Sequence, residues 1–292
     1  MNITIATTSH QGTRATNQDQ TGEIIGRRSA CFVVCDGIAG LPGGEVAAKI
    51  ARDTILENFD GEQHLDAQSI RRYVTGANAA IRARQREEAE LAKMGTTMVS
   101  LFIDRDYSLA YWAHAGDSRL YLFRRGYLFD VTTDHSLVQQ MKDAGFSTQG
   151  INSNLLYFAL GLNEARDASY SDVLQLEDGD VFLLCTDGFW HSFSEAELEQ
   201  SLHMVNSPGE WIALMERAWL NQEAPAESNT VKNRGVDNRS VDNRSVDNRS
   251  IDNYSVDNYS AIAVWVGSPQ ETTLMHSLPD AGRFMPSKLG CG

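Results

Sequence analysis

The chain has 292 residues, of which 42% are hydrophobic and 22% charged, so it has the composition of a globular protein and the length for a sizeable core. Its formal net charge of −14 argues against nucleic acid or an anionic membrane as a partner. No apolar run approaches the roughly 18 residues of a membrane span, and the N-terminus lacks the basic and apolar segments of a signal peptide. Cys31 and Cys35 lie about 13 Å apart along one predicted strand, too far to form a disulfide. We therefore expect a cytoplasmic protein from a reducing compartment.

The first predicted elements are three strands followed by two helices. The strands cover residues 3–6, 21–25 and 30–35, and a polar loop joins the first two. The third strand is a near-continuous apolar run that ends in Asp36-Gly37, as expected for a strand buried on both faces. After Gly43 and Gly44 the apolar residues take a helical spacing, which predicts helices over residues 45–59 and roughly 66–92.

Strands return in the second half of the chain, again in clusters separated by helices. The predicted strands cover residues 97–103, 109–114, 120–123, 126–129, 181–185 and 261–266. One predicted helix covers residues 137–144. A second begins at the capping box formed by Ser194 and Glu197 and runs to about residue 205, and a third covers residues 209–222 after Ser207-Pro208. Because strands and helices do not alternate strictly, this order favours a layered α+β fold over a parallel sheet.

A five-residue unit repeats from Val236, where Val-Asp-Asn-Arg-Ser occurs three times before two copies that carry Tyr in place of Arg. The early copies are polar and predict a low-complexity loop over residues 236–256. The last copy, which contains Asp257, continues directly into the final strand. Residues 268–292 are expected to form a poorly ordered tail.

Five aspartates follow or precede predicted strands or lie next to glycine: Asp19, Asp36, Asp117, Asp187 and Asp257. Mg²⁺ and Mn²⁺ prefer oxygen ligands of this kind. The chain offers no Cys-x-x-Cys and no paired histidines at the spacing of a zinc site. Several aspartates without histidine therefore indicate an oxygen-only site for more than one ion.

The motifs occur in one order: Arg14-x-x-Asn17-Gln18-Asp19, Cys35-Asp36-Gly37, Gly95-Thr96-Thr97, Ala115-Gly116-Asp117-Ser118, Cys185-Thr186-Asp187-Gly188 and Asp257-Asn258. This series resembles the metal-dependent Ser/Thr protein phosphatases, the PPM or type 2C family, in their compact bacterial form. The resemblance implies a four-layer α-β-β-α sandwich, with two antiparallel sheets flanked by helices and metals at one end. The phosphatase domain would occupy residues 1–267.

The resemblance also implies roles for individual residues. Asp36 would bridge two Mn²⁺ or Mg²⁺ ions, and the Gly37 carbonyl would bind one of them. Asp187 and Asp257 would complete the protein ligands of the other ion. Asp117 would help to bind a possible third ion, and Asp19 would act through metal-bound water. Arg14 would bind the substrate phosphate, because its planar guanidinium matches two phosphate oxygens.

The implied reaction is hydrolysis of phosphoserine and phosphothreonine in proteins by a hydroxide that bridges the metals, opposing a bacterial Ser/Thr kinase. The protein is expected to act as a monomer, with phosphorylated proteins and a kinase as its partners. The alternative is a catalytically silent relative that binds phosphoproteins or acts as a scaffold.

The sequence departs from the family pattern at a few positions. Gln18 replaces a common glutamate, and Ile38 occupies the place of a histidine proposed as general acid in eukaryotic members. The segment corresponding to the family's flap, residues 145–161, is short. Cys35 and Cys185 precede the ligand positions, and we expect both to point into the sandwich as core residues.

Overall fold

The computed structural model describes residues 1–152, 155–162, 166–223 and 257–267. The repeat loop predicted over residues 236–256 and the tail predicted over residues 268–292 lie outside the described residues. Within them, no helix is both long enough and apolar enough to cross a membrane.

The described strands form two antiparallel sheets. The five-stranded sheet has the order β1-β11-β10-β6-β7, from β1 (Ile3–His10), β11 (Tyr259–Val266), β10 (Val181–Cys185), β6 (Arg119–Arg124) and β7 (Tyr127–Val131). The six-stranded sheet has the order β2-β3-β4-β5-β8, with β9 also beside β5. Its strands are β2 (Asp19–Ile25), β3 (Ser29–Asp36), β4 (Met98–Asp104), β5 (Leu109–Ala115), β8 (Ser169–Tyr170) and β9 (Leu174–Gln175).

Helices cover the outer face of each sheet. On the six-stranded sheet lie α1 (Gly44–Asn58) and α2 (Ala67–Glu87), and on the five-stranded sheet lie α4 (Asp187–Trp190), α5 (Glu195–Leu202) and α6 (Pro208–Glu223). The short helix α3 (Leu137–Asp143) follows β7. The four layers are therefore helices, sheet, sheet and helices, as predicted.

Strand alternation divides the buried side chains of β3 between two cores. Ala30, Phe32 and Val34 join the apolar layer between the sheets, whereas Cys31 and Cys35 join the layer under α1 and α2. Side chains of successive strand residues point to opposite faces, so both faces must be apolar in a strand covered on both sides. This explains why the sequence of β3 shows no alternation of polar and apolar residues.

The two site-adjacent cysteines are buried, but the direction predicted for their side chains is wrong. Cys35 packs under α1 and α2, and Cys185 packs under the helices of the five-stranded sheet, so neither points into the space between the sheets. Burial raises the pKa of both thiols far above the ordinary range. Each cysteine is therefore an inert core residue, because its thiolate is strongly disfavoured.

Most predicted elements exist, with shifted ends. The second helix was predicted to run to residue 92, but it ends at Glu87, and a 3₁₀ turn over Ala89–Leu91 follows. Glu88 adopts an extended conformation that breaks the helical hydrogen bonds at this point. The capping box at Ser194 and Glu197 is present as predicted. Strands β8 and β9 and helix α4 were not predicted, because two to four residues are too few to display a period.

Candidate metal centre

The predicted site residues lie at one end of the two sheets. Asp36 ends β3 and is paired with Asp19, the first residue of β2. Asp117 lies in the turn between β5 and β6, Asp187 begins α4 directly after β10, and Asp257 lies two residues before β11. Because neighbouring strands are antiparallel, the end of one strand lies beside the start of the next, and residues distant in sequence meet.

These residues share one cleft. Its volume is about 120 Å³, and its lining includes Asp36, Gly37, Asp117, Asp187, Asp257 and Arg14. Asp19 is not part of the lining, because it is buried behind Asp36 with only 3% of its surface exposed. The structure thus brings together every predicted site residue, with Asp19 in a layer behind the others.

Two threonines fix the backbone of Asp36. Thr97 donates its N–H to the Asp36 carbonyl at 2.8 Å, and its Oγ1 accepts the Asp36 N–H at 3.1 Å. The hydroxyl of Thr96 donates to the same carbonyl at 2.8 Å. The side chain of Asp36 is therefore presented to the cleft from a backbone that is held on both sides.

Gly37 lies where no side chain fits. A Cβ at this position would be 2.3 Å from the carbonyl carbon of Gly44 and 2.8 Å from the backbone nitrogen of Glu45. Its N–H donates to the carbonyl of Gln18 at 3.2 Å. The absence of a side chain lets the start of α1 approach closely and leaves the Gly37 peptide at the wall of the cleft.

The turn that carries Asp117 is held from several directions. Gly116 has a φ of 95° and donates its N–H to His135 Nδ1 at 3.2 Å. Trp190 Nε1 donates to the carbonyl of Asp117 at 2.9 Å, and Ser118 Oγ lies 2.6 Å from Thr97 Oγ1. The turn is therefore tied to α4, to the Thr97 segment and to the loop before α3.

Asp19 and Asp187 are connected through Thr186, the last residue before α4. Thr186 Oγ1 donates to Asp19 Oδ2 at 3.0 Å, while Asp19 Oδ1 is buried without a hydrogen-bond partner among the described residues. Burial raises the pKa of Asp19 to about 7, and burial also raises the pKa of Asp187. A buried carboxylate oxygen without a partner in the protein fits a site built for a cation or its bound water.

Arg14 and Asp257 form an ion pair at the edge of the cleft. Arg14 Nη2 lies 2.7 Å from Asp257 Oδ2, and both side chains are partly exposed. Asn258, the next residue, is buried, and its amide group bonds to the loop between β1 and β2. The predicted phosphate-binding residue and the last predicted metal ligand are thus neighbours.

The accumulated negative charge of the cleft suits divalent cations. Burial, followed by repulsion from Asp19, Asp187, Asp117 and Asp257, raises the pKa of Asp36 well above its usual range, and burial raises that of Asp117 to about 7. Among the described residues, no group of three or more His, Cys, Asp or Glu side chains is arranged to hold a metal ion as the side chains stand. Carboxylate and carbonyl oxygens that repel one another fit Mg²⁺ or Mn²⁺, since a cation offsets the repulsion.

A larger cavity, about 500 Å³, opens between the edges of the two sheets, with Trp112, His114, His135 and Tyr170 in its lining. None of the five aspartates lies there. The smaller cleft is therefore the candidate metal site because of its negative charge, although its volume is the lower of the two.

Sequence reasoning identified the charged residues but missed their neutral supports. Asn258, Thr186, His135 and Trp190 act through bonds to backbone or to buried carboxylate oxygens. Such residues carry no spacing pattern, because their partners come from other elements. Thr186 and Asn258 do stand in the motifs around Asp187 and Asp257, but the sequence does not show which groups they bond to.

Comparison with known proteins finds phosphatases that are similar to this chain in sequence and in fold. The chain is 30% identical over 197 residues to the serine/threonine phosphatase Stp of Listeria monocytogenes, with 64% of this chain and 77% of that protein covered. The catalytic domain of the phosphatase PstP, solved in complex with two manganese ions, matches with a TM-score of 0.70 at 24% identity, covering 91% of this chain and 99% of that one. PppA of Pseudomonas aeruginosa, described as a key regulatory component of T6SS, matches with a TM-score of 0.64 at 25% identity, covering 91% and 98% of the two chains.

The family model of protein phosphatase 2C matches residues 6–226, about three quarters of the sequence. This range includes the motifs around Asp36, Asp117 and Asp187. The chain belongs to the protein phosphatase 2C family.

Proposed function

We propose that the protein hydrolyses phosphoserine and phosphothreonine in proteins with the help of two Mn²⁺ or Mg²⁺ ions, and that it opposes a Ser/Thr kinase. The observation that carries this proposal is the convergence of Asp36, Asp117, Asp187 and Asp257 with Arg14 on one small cleft. Stp is named as a serine/threonine phosphatase, and PstP was solved with two manganese ions, which supports the same assignment here.

We assign the residues as the sequence predicted. Asp36 and the Gly37 carbonyl would hold ions at the centre, Asp187 and Asp257 would complete the ligands of one ion, and Asp117 would contribute to a further one. Asp19 would act from behind Asp36 through metal-bound water, because Thr186 holds one of its oxygens and the other has no hydrogen-bond partner among the described residues. When bound, the ions supply Lewis acidity and make water acidic enough to act as a nucleophile near neutral pH.

Arg14 binds the phosphate of the substrate. Its guanidinium lines the cleft, and several of its N–H groups can meet phosphate oxygens in one plane. The ion pair with Asp257 places that guanidinium beside the carboxylates that hold ions, so the phosphate is brought to the same place. As charge develops on the phosphoryl oxygens, Arg14 stabilises it.

The wall of the cleft supplies no proton donor at the position after Gly37. Ile38, Ala39 and Leu156 line this wall with apolar side chains that carry no proton to donate. A leaving serine or threonine oxygen is then protonated by water and not by a side chain of this wall. The loop after Asp36 would therefore contribute metal ligands but no general acid.

The test is hydrolysis of p-nitrophenyl phosphate and of a phosphothreonine peptide in Mn²⁺. We expect turnover by the unmodified chain, loss of turnover in EDTA and loss in Asp36→Asn. Asp130→Asn is the matched control, because Asp130 is exposed on the edge strand β7 and is not part of the cleft. Binding of the phosphopeptide without turnover would favour the alternative of a silent binding module.

A further inference from the structure

The loop between β1 and β2 carries Arg14, and a single buried side chain from another part of the sequence bonds to it three times. Asn258 Nδ2 donates to the carbonyls of Gln11 at 2.7 Å and Thr16 at 3.0 Å. Asn258 Oδ1 accepts the N–H of Gln18 at 2.9 Å. These contacts lie at the start and at the end of the loop of residues 11–18.

Asn258 itself is rigidly placed. Only 5% of its surface is exposed, and the next residue, Tyr259, is paired with His10 in the register of β11 and β1. The amide group therefore reaches into the loop from the edge of a sheet whose neighbouring strand ends where the loop begins. Burial also means that each of its bonds would be costly to lose, since water cannot replace the partner.

A second side chain extends the connection to Arg14. Gln11, whose carbonyl Asn258 holds, donates its Nε2–H to the carbonyl of Arg14 at 2.6 Å. The guanidinium of Arg14 in turn meets Asp257, the residue before Asn258. Arg14 is thus fixed at its backbone through Gln11 and at its side chain through Asp257.

We infer that Asn258 is a positioning residue, which sets the place of Arg14 in the cleft by holding the loop of residues 11–18. This inference rests on the proposed role of Arg14 in binding phosphate. Asparagine is required because two backbone carbonyls need a donor and one N–H needs an acceptor, and only an amide side chain offers both at this length. Aspartate has the same shape, but its second oxygen would face the two carbonyl oxygens and could not donate a hydrogen bond to them.

The test measures hydrolysis of a phosphothreonine peptide by the full chain in saturating Mn²⁺, with inorganic phosphate as the inhibitor. For Asn258→Ala we expect kcat/KM to fall about 100-fold, since a displacement near 1 Å at a binding group has this effect. The inhibition constant of phosphate should rise with KM. Asn253→Ala, which changes the same residue of the preceding repeat, should stay within about twofold of the unmodified chain.

A double-mutant cycle separates positioning from general damage. In the background of Arg14→Ala, Asn258→Ala should change kcat/KM by no more than about twofold, because the residue that it positions is already gone. Equal losses in both backgrounds would overturn the inference, as would wild-type kinetics for Asn258→Ala. If Asn258→Ala does not fold, Asn258→Asp takes its place, since it keeps the volume and the acceptor for Gln18. An unmodified chain that is inactive in Mn²⁺ would overturn the proposed function itself, and with it this inference.

Discussion

Replacing Gly188 with alanine should push the last predicted metal ligand out of place. Gly188 is the second residue of α4, and a Cβ on it would lie 2.1 Å from the carbonyl oxygen of Asn258 and 3.3 Å from the Cβ of Asp257. An ordinary contact begins near 3.4 Å, so the Asn258 carbonyl would have to retreat by about 1.3 Å, the difference of the two distances. The conflict is with backbone, which cannot rotate away as the end of a side chain can.

Such a displacement has two measurable consequences. Overpacking of this kind costs roughly 1–3 kcal/mol of the free energy of unfolding. A shift near 1 Å at Asp257 and Asn258 should lower kcat/KM for p-nitrophenyl phosphate about 100-fold. The assays are urea unfolding and hydrolysis, both in saturating Mn²⁺.

Gly209 provides the matched control. It also lies in a helix, α6, but a Cβ there meets no atom within 4 Å. Gly209→Ala should leave kcat/KM unchanged and raise the free energy of unfolding by about 0.5–1 kcal/mol, because alanine is the better helix former. If Gly188→Ala behaved like Gly209→Ala in both assays, the packing of α4 against the Asp257 segment would be wrong.

Three further predictions concern other parts of the molecule. Asp257→Ala should abolish hydrolysis while Asp252→Ala, the same change one repeat earlier, leaves it intact; the reverse result would move the ligand by one repeat. Burial lowers the pKa of His135 from 6.5 to about 3, so the unfolded chain takes up a proton below pH 6.5 that the native protein does not. Between pH 6.5 and about 5, the free energy of unfolding measured by urea titration should therefore fall by about 2 kcal/mol more in the unmodified chain than in His135→Gln. Equal decreases in the two proteins would contradict this. Ser194→Ala should cost about 1 kcal/mol of unfolding free energy, because Ser194 accepts the Glu197 N–H at the start of α5, and an unchanged value would show that the cap does not contribute.

The parts of the fold that sequence predicted are those with a long period or a complete local signal. The face of α2 repeats Ile70, Val74, Ala77 and Ile81, all of which are buried. β3 is an uninterrupted apolar run because one face meets the other sheet and the other face meets helices. The direction of Cys35 was not predictable, since an apolar residue is equally suited to either face of such a strand.

The aspartates of the candidate site were predictable because each lies within two residues of a strand end, in a recognisable motif. The sequence did not predict that Asp19 lies behind Asp36, because that position depends on strand register and on the bond from Thr186. The contacts that Asn258 and His135 make were not predictable, because their partners are backbone groups of other elements. Hydrogen bonds of this kind exist only in the folded chain, and no spacing rule describes them.

The most direct test of the account is calorimetric titration of Mn²⁺ into the unmodified chain and into Asp36→Asn, with hydrolysis of a phosphothreonine peptide measured on the same samples. Asp36 ends β3 at the centre of the cleft and faces the largest share of its negative charge. We expect the unmodified chain to bind at least two ions and to turn over the peptide, and we expect Asp36→Asn to lose turnover together with at least one bound ion. Unchanged ion binding and turnover in Asp36→Asn would contradict this expectation.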